Sequence, residues 1–395
     1  MEKFFPLLKR GNISKISQDS DWPVLMRRTA VVPSFSNHFK SRLVESDVVN
    51  MHKIKDILVH VTDKCNLTCP MCYRQDYVKQ EDMTLEKFRE VVKKHKSCKI
   101  SLIGMEPSLH PKAVDMIKII KDEGCTASII TNGLKFSNFK FTKRMKDAGL
   151  DHLYFSMDGF SYEINQKLRG GGEIAYSLKL KALSNIKKLG IQTTLLATVV
   201  KNFNENQISV LFDFAKKNDF IKVLSLRPLH KVDSWDLDIS SLSPNEMWSV
   251  VESQTNGLVS KRYTKLWNLF FRELNSVTKN FMLNRTSPYD YWNLSYYNRN
   301  KNGFERLIGE EELLELVYRL RNNEFHKLFK LKYLKMGLPV FKNKFNFFEA
   351  EKEMFEKGLF KVFIGRVMSA TAIQPNVLNT LSYDSKGEII KTVLL

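Results

Sequence analysis

Short apolar runs alternate with amphipathic stretches along the chain from Ile54 onward, and the two patterns predict different elements. A short apolar run predicts a buried strand, whereas apolar residues spaced three and four apart predict a helix packed on one face. The predicted strands cover residues 54–61, 99–104, 125–131, 151–156, 191–200 and 220–226. The predicted helices lie near residues 84–96, 111–123, 138–148, 174–189 and 205–217. This alternation predicts an α/β fold whose parallel sheet, covered by helices, curves into a partial, open (β/α)6 barrel.

The pattern changes after His230. Ser243 and Glu246, three residues apart with Pro244 between them, are typical of a capping box that opens a helix. Further amphipathic stretches cover 258–283 and 310–330, and a turn at 384–387 between apolar runs predicts a hairpin. We therefore expect a barrel at 54–230, a mostly helical region that covers the substrate at 231–395, and an extension at 1–53 that packs on the barrel.

Unusual polar clusters follow the predicted strands, at the point where each strand ends. They lie at 65–73, 104–107, 131–133, 156–159, 201–204 and 227–228. The carboxyl ends of parallel strands meet at one rim of a barrel, and barrel enzymes place their chemistry on the loops of that rim. Cys98 and Cys125 fall instead at strand starts, so we expect them to be inert core residues at the opposite end.

Cys65, Cys69 and Cys72 have the spacing C-x3-C-x2-C directly after the first predicted strand. Electron-transfer iron–sulfur clusters use four cysteines, so three thiolates would leave one iron open to bind a small molecule. The alternative is a zinc site with His60 or His110 as the fourth ligand. The chain has five cysteines. A second cluster with three or four cysteines of its own would need more.

The composition limits the classes of partner. With 62 Lys and Arg against 43 Asp and Glu, the formal net charge is +19, which permits a polyanionic partner. The alternative is a set of solvated lysines, because no arginine-rich tract is present. The chain contains no apolar stretch of membrane-spanning length and no secretory h-region, so we expect a cytoplasmic protein without a membrane span.

Five segments, in this order, resemble the motifs of the radical S-adenosylmethionine (SAM) superfamily. The cysteine loop ends in the aromatic Tyr73, and residues 101–111 look like the family's Gly-Gly-Glu-Pro segment. Residues 129–133, 155–159 and 167–170 match further family segments. The resemblance covers roughly 54–230 and implies a single [4Fe–4S] cluster held by the three cysteines, with SAM bound to its open iron.

The resemblance also implies which residues contact SAM. Gly104, Met105 and Glu106 match the positions that face its amino group, although Met105 replaces the second glycine of the family's turn. A side chain is tolerable there if φ stays negative. Ser156 and Arg169 match residues that hold the SAM carboxylate. The remaining expected contacts are to the adenosyl group, through the backbone of Tyr73 and through Thr131, Asn202 and Asn204.

The implied activity is reductive cleavage of SAM to methionine and a 5′-deoxyadenosyl radical, which abstracts a hydrogen atom from substrate or adds to it. An electron donor such as flavodoxin or ferredoxin is implied as a partner. The cysteine count disfavours subclasses that carry auxiliary clusters. The substrate is expected to be a peptide or a small molecule. The alternatives are a nucleic-acid-modifying enzyme that uses the basic charge and a catalytically silent scaffold.

Three features outside the family motifs carry weaker expectations about the substrate. Residues 289–297, rich in tyrosine, form either an aromatic wall for the substrate or an ordinary packed cluster. Arg227 pairs either with the substrate or with a barrel carboxylate. The basic stretch 321–346 either steers an anionic substrate or forms a solvated helix face.

Overall fold

The fold is a helix-covered, mainly parallel sheet, seen in a computed structural model that describes residues 56–72, 82–229, 240–277, 292–322, 353–365, 380–387 and 389–390. Six strands pair in parallel and in chain order. They are β1 (Asp56–Thr62), β2 (Lys99–Gly104), β3 (Thr126–Thr131), β4 (His152–Ser156), β5 (Gln192–Val199) and β6 (Ile221–Pro228). The predicted partial barrel of six parallel strands is confirmed.

Helices connect these strands and cover one face of the sheet. They are α1 (Leu85–Lys93), α2 (Ala113–Asp122), α3 (Phe139–Asp147), α4 (Tyr162–Arg169), α5 (Gly172–Lys188) and α6 (Gln207–Lys217). Thr84 caps α1 as predicted, since its side chain accepts a hydrogen bond from the Lys87 N–H at 3.2 Å. The loop from β4 to β5 holds two helices, α4 and α5, where the sequence pattern predicted one.

Alternate residues of each strand face the helices and form the main core. In β1 these are Ile57, Val59 and Val61, all fully buried. The opposite face of the sheet is more polar, because side chains alternate along a strand. There Ser101 and Ser128 hydrogen-bond through their hydroxyls at 2.6 Å, and the His152 Nε2 lies 2.6 Å from Thr194 Oγ1.

The chain after residue 230 adds both helices and strands. The helices are α7 (Pro244–Gln254), α8 (Lys261–Val277) and α9 (Glu310–Arg321). The capping box at Ser243 and Glu246 is confirmed. The strands are β7 (Trp292–Asn300), β8 (Gly303–Arg306), β9 (Leu359–Gly365), β10 (Thr380–Tyr383) and β11 (Ile389–Ile390).

These late strands extend the sheet at both edges, so the region adds strands to the helices that the sequence predicts. The strand order is β11-β10-β1-β2-β3-β4-β5-β6-β9-β7-β8. Strand β9 pairs in parallel with β6, and β10 pairs in parallel with β1. The predicted hairpin turn is present, since the Gly387 N–H donates to the Asp384 carbonyl at 3.0 Å. The domain limits at residues 53 and 230 stay predictions, and residues 1–53 lie outside the described residues.

Two further sequence predictions concern the core and the membrane. Cys98 and Cys125 are buried beside the starts of β2 and β3, with 4% and 2% of their surface exposed, as expected of inert core residues. Within the described ranges, no helix is both long enough and apolar enough to cross a membrane.

Candidate active site at the carboxyl rim of the sheet

The cysteine loop leaves the carboxyl end of β1 and is fixed to the rim by two apolar side chains. Leu67 packs with Leu134 and Ala175. Met71 packs with four residues of the neighbouring elements, Ile164, Leu168, Val200 and Leu229. Each of the three thiols is partly exposed. The loop therefore presents its cysteines at the rim while its apolar residues hold the backbone in place.

The turn after β2 is tied directly to this loop. The Met105 N–H donates to the Thr62 carbonyl at 3.0 Å, and the Glu106 N–H donates to the Lys64 carbonyl at 2.9 Å. Gly104 has φ +144°, and a Cβ on it would lie 2.4 Å from the Thr62 oxygen. Glycine is therefore required at Gly104. Met105 is absent from the positive-φ residues, so the predicted condition for a side chain at this position is met.

The three thiols lie within electrostatic reach of one another. Burial raises the pKa of Cys65 to about 11, against a hydrogen bond from the Leu67 backbone. Burial also raises the pKa of Cys69, and the charge of Arg169 opposes that rise. A positive centre beside Cys65 and Cys69 would favour their thiolate forms, and the iron of an iron–sulfur cluster would supply one. Three partly exposed thiols on one loop fit three corners of such a cluster. Among the described residues, no three Cys, His, Asp or Glu side chains lie at the spacing of a single-ion site.

The carboxylate of Glu106 is fully buried and fastens the loops after β2 and β3. Its Oε1 accepts hydrogen bonds from the Thr131 hydroxyl at 2.6 Å and from the Ser108 N–H at 3.2 Å. The Ser108 hydroxyl donates to the same oxygen. Its Oε2 accepts from the Asn132 N–H at 2.7 Å. Burial raises the pKa of this carboxyl, and the four hydrogen bonds oppose that rise.

This network places two predicted SAM contacts, Glu106 and Thr131, in contact with each other. Their side chains bind one another beneath the rim, so the resemblance-based assignment of both to SAM stays a prediction. Asn132 connects the same network to the cysteine loop. Its Nδ2 donates to Asn66 Oδ1 at 2.8 Å and lies 3.9 Å from the Cys65 sulfur. The hydrogen bonds of Glu106 therefore help to set the position of Cys65.

A second buried carboxylate, Asp158, binds Arg169 with both oxygens. Arg169 Nε donates to Oδ2 at 2.6 Å, and a terminal nitrogen donates to Oδ1 at 2.9 Å. The Thr198 N–H also donates to Oδ1, at 2.8 Å. Burial acts to raise the pKa of Asp158, but the charge of Arg169 and its hydrogen bonds hold that pKa below its ordinary value. Asp158 lies in the segment 155–159 that resembles a family motif, but no role was predicted for its carboxylate.

This ion pair changes what Arg169 can offer to a ligand. The predicted role was a two-pronged contact with the SAM carboxylate, but Asp158 already occupies Nε and one terminal nitrogen. A ligand carboxylate would therefore meet the remaining N–H groups. Arg169 also interacts electrostatically with Cys69 and Cys72, which places its charge beside the cysteine loop. Its assignment to SAM stays a prediction.

Lys179, on α5, is a buried residue of the site that sequence analysis missed. Only 1% of its surface is exposed, and its Nζ donates to the Ser156 carbonyl at 2.7 Å. Burial, reinforced by the charge of Arg169, lowers its pKa to about 8. In the sequence, this lysine sits in an amphipathic helix among exposed lysines, so nothing local distinguished it from a solvated side chain.

The remaining predicted contacts lie on the loops after β4 and β5. Ser156 ends β4 and is half-buried. Asn202 has φ +56°, and its N–H donates to Glu205 Oε2 at 2.9 Å. Asn204 is buried, and its Nδ2 donates to the backbone carbonyls of Asp158 and Thr198. Its amide thus supports the loop, and its assignment to the adenosyl group stays a prediction. Tyr73 lies outside the described residues.

The weaker expectations about the substrate have different outcomes. Tyr296 and Tyr297 are buried, with 4% and 0% of their surface exposed, and pack with aromatic residues of α8. The ordinary packed cluster therefore describes them, while residues 289–291 lie outside the described residues. Arg227 lies over the ring of Phe363, 5.8 Å from its centre. Within the basic stretch, residues 323–346 also lie outside the described residues.

Comparisons with known proteins match the segment of the chain that carries these residues. Residues 59–215 match the radical SAM superfamily. The chain is 27% identical over 226 residues to 7,8-dihydro-6-hydroxymethylpterin dimethyltransferase of Methanocaldococcus jannaschii, covering 53% of this chain and 44% of that protein. It is 27% identical over 218 residues to GTP 3′,8-cyclase of Staphylococcus haemolyticus, covering 51% of this chain and 62% of that protein. The chain thus spans about half the length of the curated relatives that it matches.

Among solved structures, Streptococcus suis SuiB bound to precursor peptide SuiA is similar with a TM-score of 0.43 and 14% identity, covering 62% of this chain and 58% of that one. The structure of native anSMEcpe with bound AdoMet and a peptide gives a TM-score of 0.44 and 20% identity, covering 56% and 66%. Residues 59–215, which carry the cysteine loop and the ordered motifs of the rim, are therefore identified as a radical SAM domain.

Proposed function

We propose that this chain holds a [4Fe–4S] cluster through Cys65, Cys69 and Cys72 and uses it to cleave SAM reductively. The observation that carries the proposal is the position of the three partly exposed thiols. They share one loop, which is hydrogen-bonded to the turn at Gly104–Glu106 on the carboxyl rim of a parallel sheet. When bound there, such a cluster would supply the one electron needed for reductive cleavage of SAM, with methionine and a 5′-deoxyadenosyl radical toward an organic substrate as the products.

The residues of the rim orient SAM for this step. In the proposal, the turn at Gly104, Met105 and Glu106 faces the amino group of SAM. Ser156 and the N–H groups of Arg169 that Asp158 leaves available face the carboxylate. The salt bridge to Asp158 fixes the plane of the guanidinium, and a preorganised donor gains more from a charged acceptor than a mobile one does.

The adenosyl group is assigned to the loops farther along the rim. Tyr73 contacts the adenine through its backbone, and Thr131 and Asn202 contact the ribose or the adenine. The hydroxyl of Thr131 donates to Glu106 at 2.6 Å and accepts from the Gly133 N–H at 3.0 Å. One acceptor position on the hydroxyl oxygen is left for a ribose O–H. These contacts orient SAM and thereby position its reactive carbon, and none of them transfers a proton.

The substrate we propose is a peptide or a small polar molecule held against the polar face of the sheet. Hydroxyl and imidazole groups on that face, at Ser101, Ser128, His152 and Thr194, support a polar ligand. The relatives named for GTP and pterin chemistry agree with a small-molecule substrate. The proposed partner for reduction is a flavodoxin or a ferredoxin, in the cytoplasm, where the five free cysteines stay reduced.

Mass spectrometry of the reaction products tests this function. The protein is reconstituted anaerobically with iron and sulfide, reduced with dithionite and incubated with SAM. We expect 5′-deoxyadenosine and methionine in equal amounts from the native chain and from Cys98→Ala, and neither product from Cys69→Ala. If the native chain forms a cluster and releases no 5′-deoxyadenosine, the proposed function is wrong and a silent scaffold takes its place.

A further inference from the structure

Lys179 is a costly residue to bury, and its surroundings are mostly apolar. It lies on the inner face of α5 with Ala175, Ala182 and Leu183, all of them buried. Lysine is almost never fully buried in a protein unless its charge is paired. An ion pair with a carboxylate ordinarily offsets the desolvation of a buried ammonium.

The contacts of Lys179 do not include such an ion pair. Its Nζ donates to the carbonyl of Ser156 at 2.7 Å, and no carboxylate oxygen of the described residues lies within salt-bridge distance of it. The carbonyl that it binds closes β4, at the start of the loop assigned to the SAM carboxylate. The ammonium is therefore anchored at the rim, beside the site.

Several charged groups interact with the ammonium of Lys179. Asp158 and Arg169 neutralise each other in their two-pronged ion pair. Lys179 interacts electrostatically with both, with Cys69 and, more weakly, with Glu106. Ala175, one turn before Lys179 on the buried face of α5, packs in one cluster with Leu67, and Cys65 and Cys69 pack against that cluster. Lys179 therefore lies close to the cysteine loop. Replacing Lys179 by a neutral residue would therefore remove one positive charge from the surroundings of the cysteine loop, regardless of the charges on the other groups.

We propose that Lys179 is a positioning residue that holds a positive charge beside the iron–sulfur cluster and raises the reduction potential of that cluster. This inference rests on the proposed function. Reduction adds one negative charge to the cluster, and a buried cation favours the added charge because the low dielectric of the interior screens it weakly. Net charge near a cluster is among the factors that set its potential. The hydrogen bond to Ser156 keeps the cation at a constant distance.

Redox titration of the reconstituted protein, followed by EPR of the reduced cluster, tests the inference. Lys179→Met removes the charge and the donor, Lys179→Gln removes the charge and keeps a donor, and Lys179→Arg keeps both. In the two neutral variants we expect the ratio of reduced to oxidised cluster at a fixed potential to fall about tenfold, a shift of about 59 mV to a more negative midpoint. Lys179→Arg and the exposed control Lys181→Gln should keep the native midpoint.

The possible outcomes separate this inference from the proposed function. A native chain that forms no cluster overturns both. A native cluster whose midpoint is unchanged in Lys179→Met and Lys179→Gln overturns the inference alone. If both neutral variants lose the cluster while Lys179→Arg retains it, the requirement for a cation is supported. If all three variants lose it, the role of Lys179 is packing and the inference is wrong.

Discussion

Replacing Glu106 by glutamine removes one acceptor from a carboxylate that the chain encloses completely. The two oxygens of Glu106 each accept a backbone N–H, from Ser108 at one oxygen and from Asn132 at the other. A glutamine side chain has a single carbonyl oxygen, so its amide nitrogen must face one of these N–H groups. The hydroxyls of Ser108 and Thr131 can rotate to accept from the new amide, but a backbone N–H cannot.

The expected loss of stability follows from that mismatch. A hydrogen bond to a charged group contributes about 1.5–3 kcal/mol, and a buried donor left without a partner costs about 1–3 kcal/mol. The two contributions describe the same lost bond and are not added. We therefore expect Glu106→Gln to lower the free energy of unfolding by about 1.5–3 kcal/mol, a large part of the roughly 5–15 kcal/mol of a typical domain.

Urea unfolding of the cluster-free protein, followed by far-UV circular dichroism, measures this loss without a contribution from the cofactor. Glu90→Gln, an exposed position on α1, is the matched control and should change the unfolding free energy by less than about 0.5 kcal/mol. Equal midpoints for the two variants would refute the structural role of Glu106. A normal midpoint together with weakened SAM binding would instead establish Glu106 as the direct SAM ligand that the family resemblance implies.

Three further predictions concern the loop and the second buried carboxylate. Cys69→Ala should lose the visible absorption of the reconstituted cluster, whereas Cys98→Ala should retain it. Gly104→Ala should lower stability by about 1–3 kcal/mol and reduce iron content, because the new Cβ meets the Thr62 oxygen; Gly172→Ala, where a Cβ meets nothing within 4 Å, should retain iron. Asp158→Asn should cost about 3–5 kcal/mol at neutral pH. Because the ion pair lowers the pKa of Asp158, native stability from this group is present above its ordinary value of 3.8 and lost as the pH falls through the folded-state pKa. Urea titrations from pH 7 to pH 3 should therefore show the native and Asp158→Asn curves converging.

The six parallel strands could be predicted because both of their signals are local. Each apolar run is bounded by turn residues, and the helices between the strands begin at recognisable caps such as Thr84. Among the strands after residue 230, β7, β8 and β9 carry no such signal. Strand β7 pairs with β9, and the paired residues lie 61 to 73 positions apart, from Asn298 paired with Leu359 to Trp292 paired with Gly365. The pairing that makes each a strand cannot be seen in its own sequence.

The candidate site shows the same division between local and distant information. The spacing of Cys65, Cys69 and Cys72 identifies the loop, and the order of the strands places it on the rim with the Gly104 turn. The partner of Arg169 could not be identified, since Asp158 is eleven residues away and reaches it only after α4 has folded. The burial of Lys179 could not be predicted, because it depends on which residues of other elements pack over the helix.

The central claim is that a cluster on the cysteine loop has an open iron that binds SAM directly. Electron–nuclear double resonance on the reduced, reconstituted protein tests it, with SAM labelled with ¹⁵N at its amino group. The account predicts a reduced-cluster EPR signal that changes when SAM is added and a hyperfine coupling from the labelled nitrogen. A cluster signal that is indifferent to SAM and shows no nitrogen coupling would contradict it.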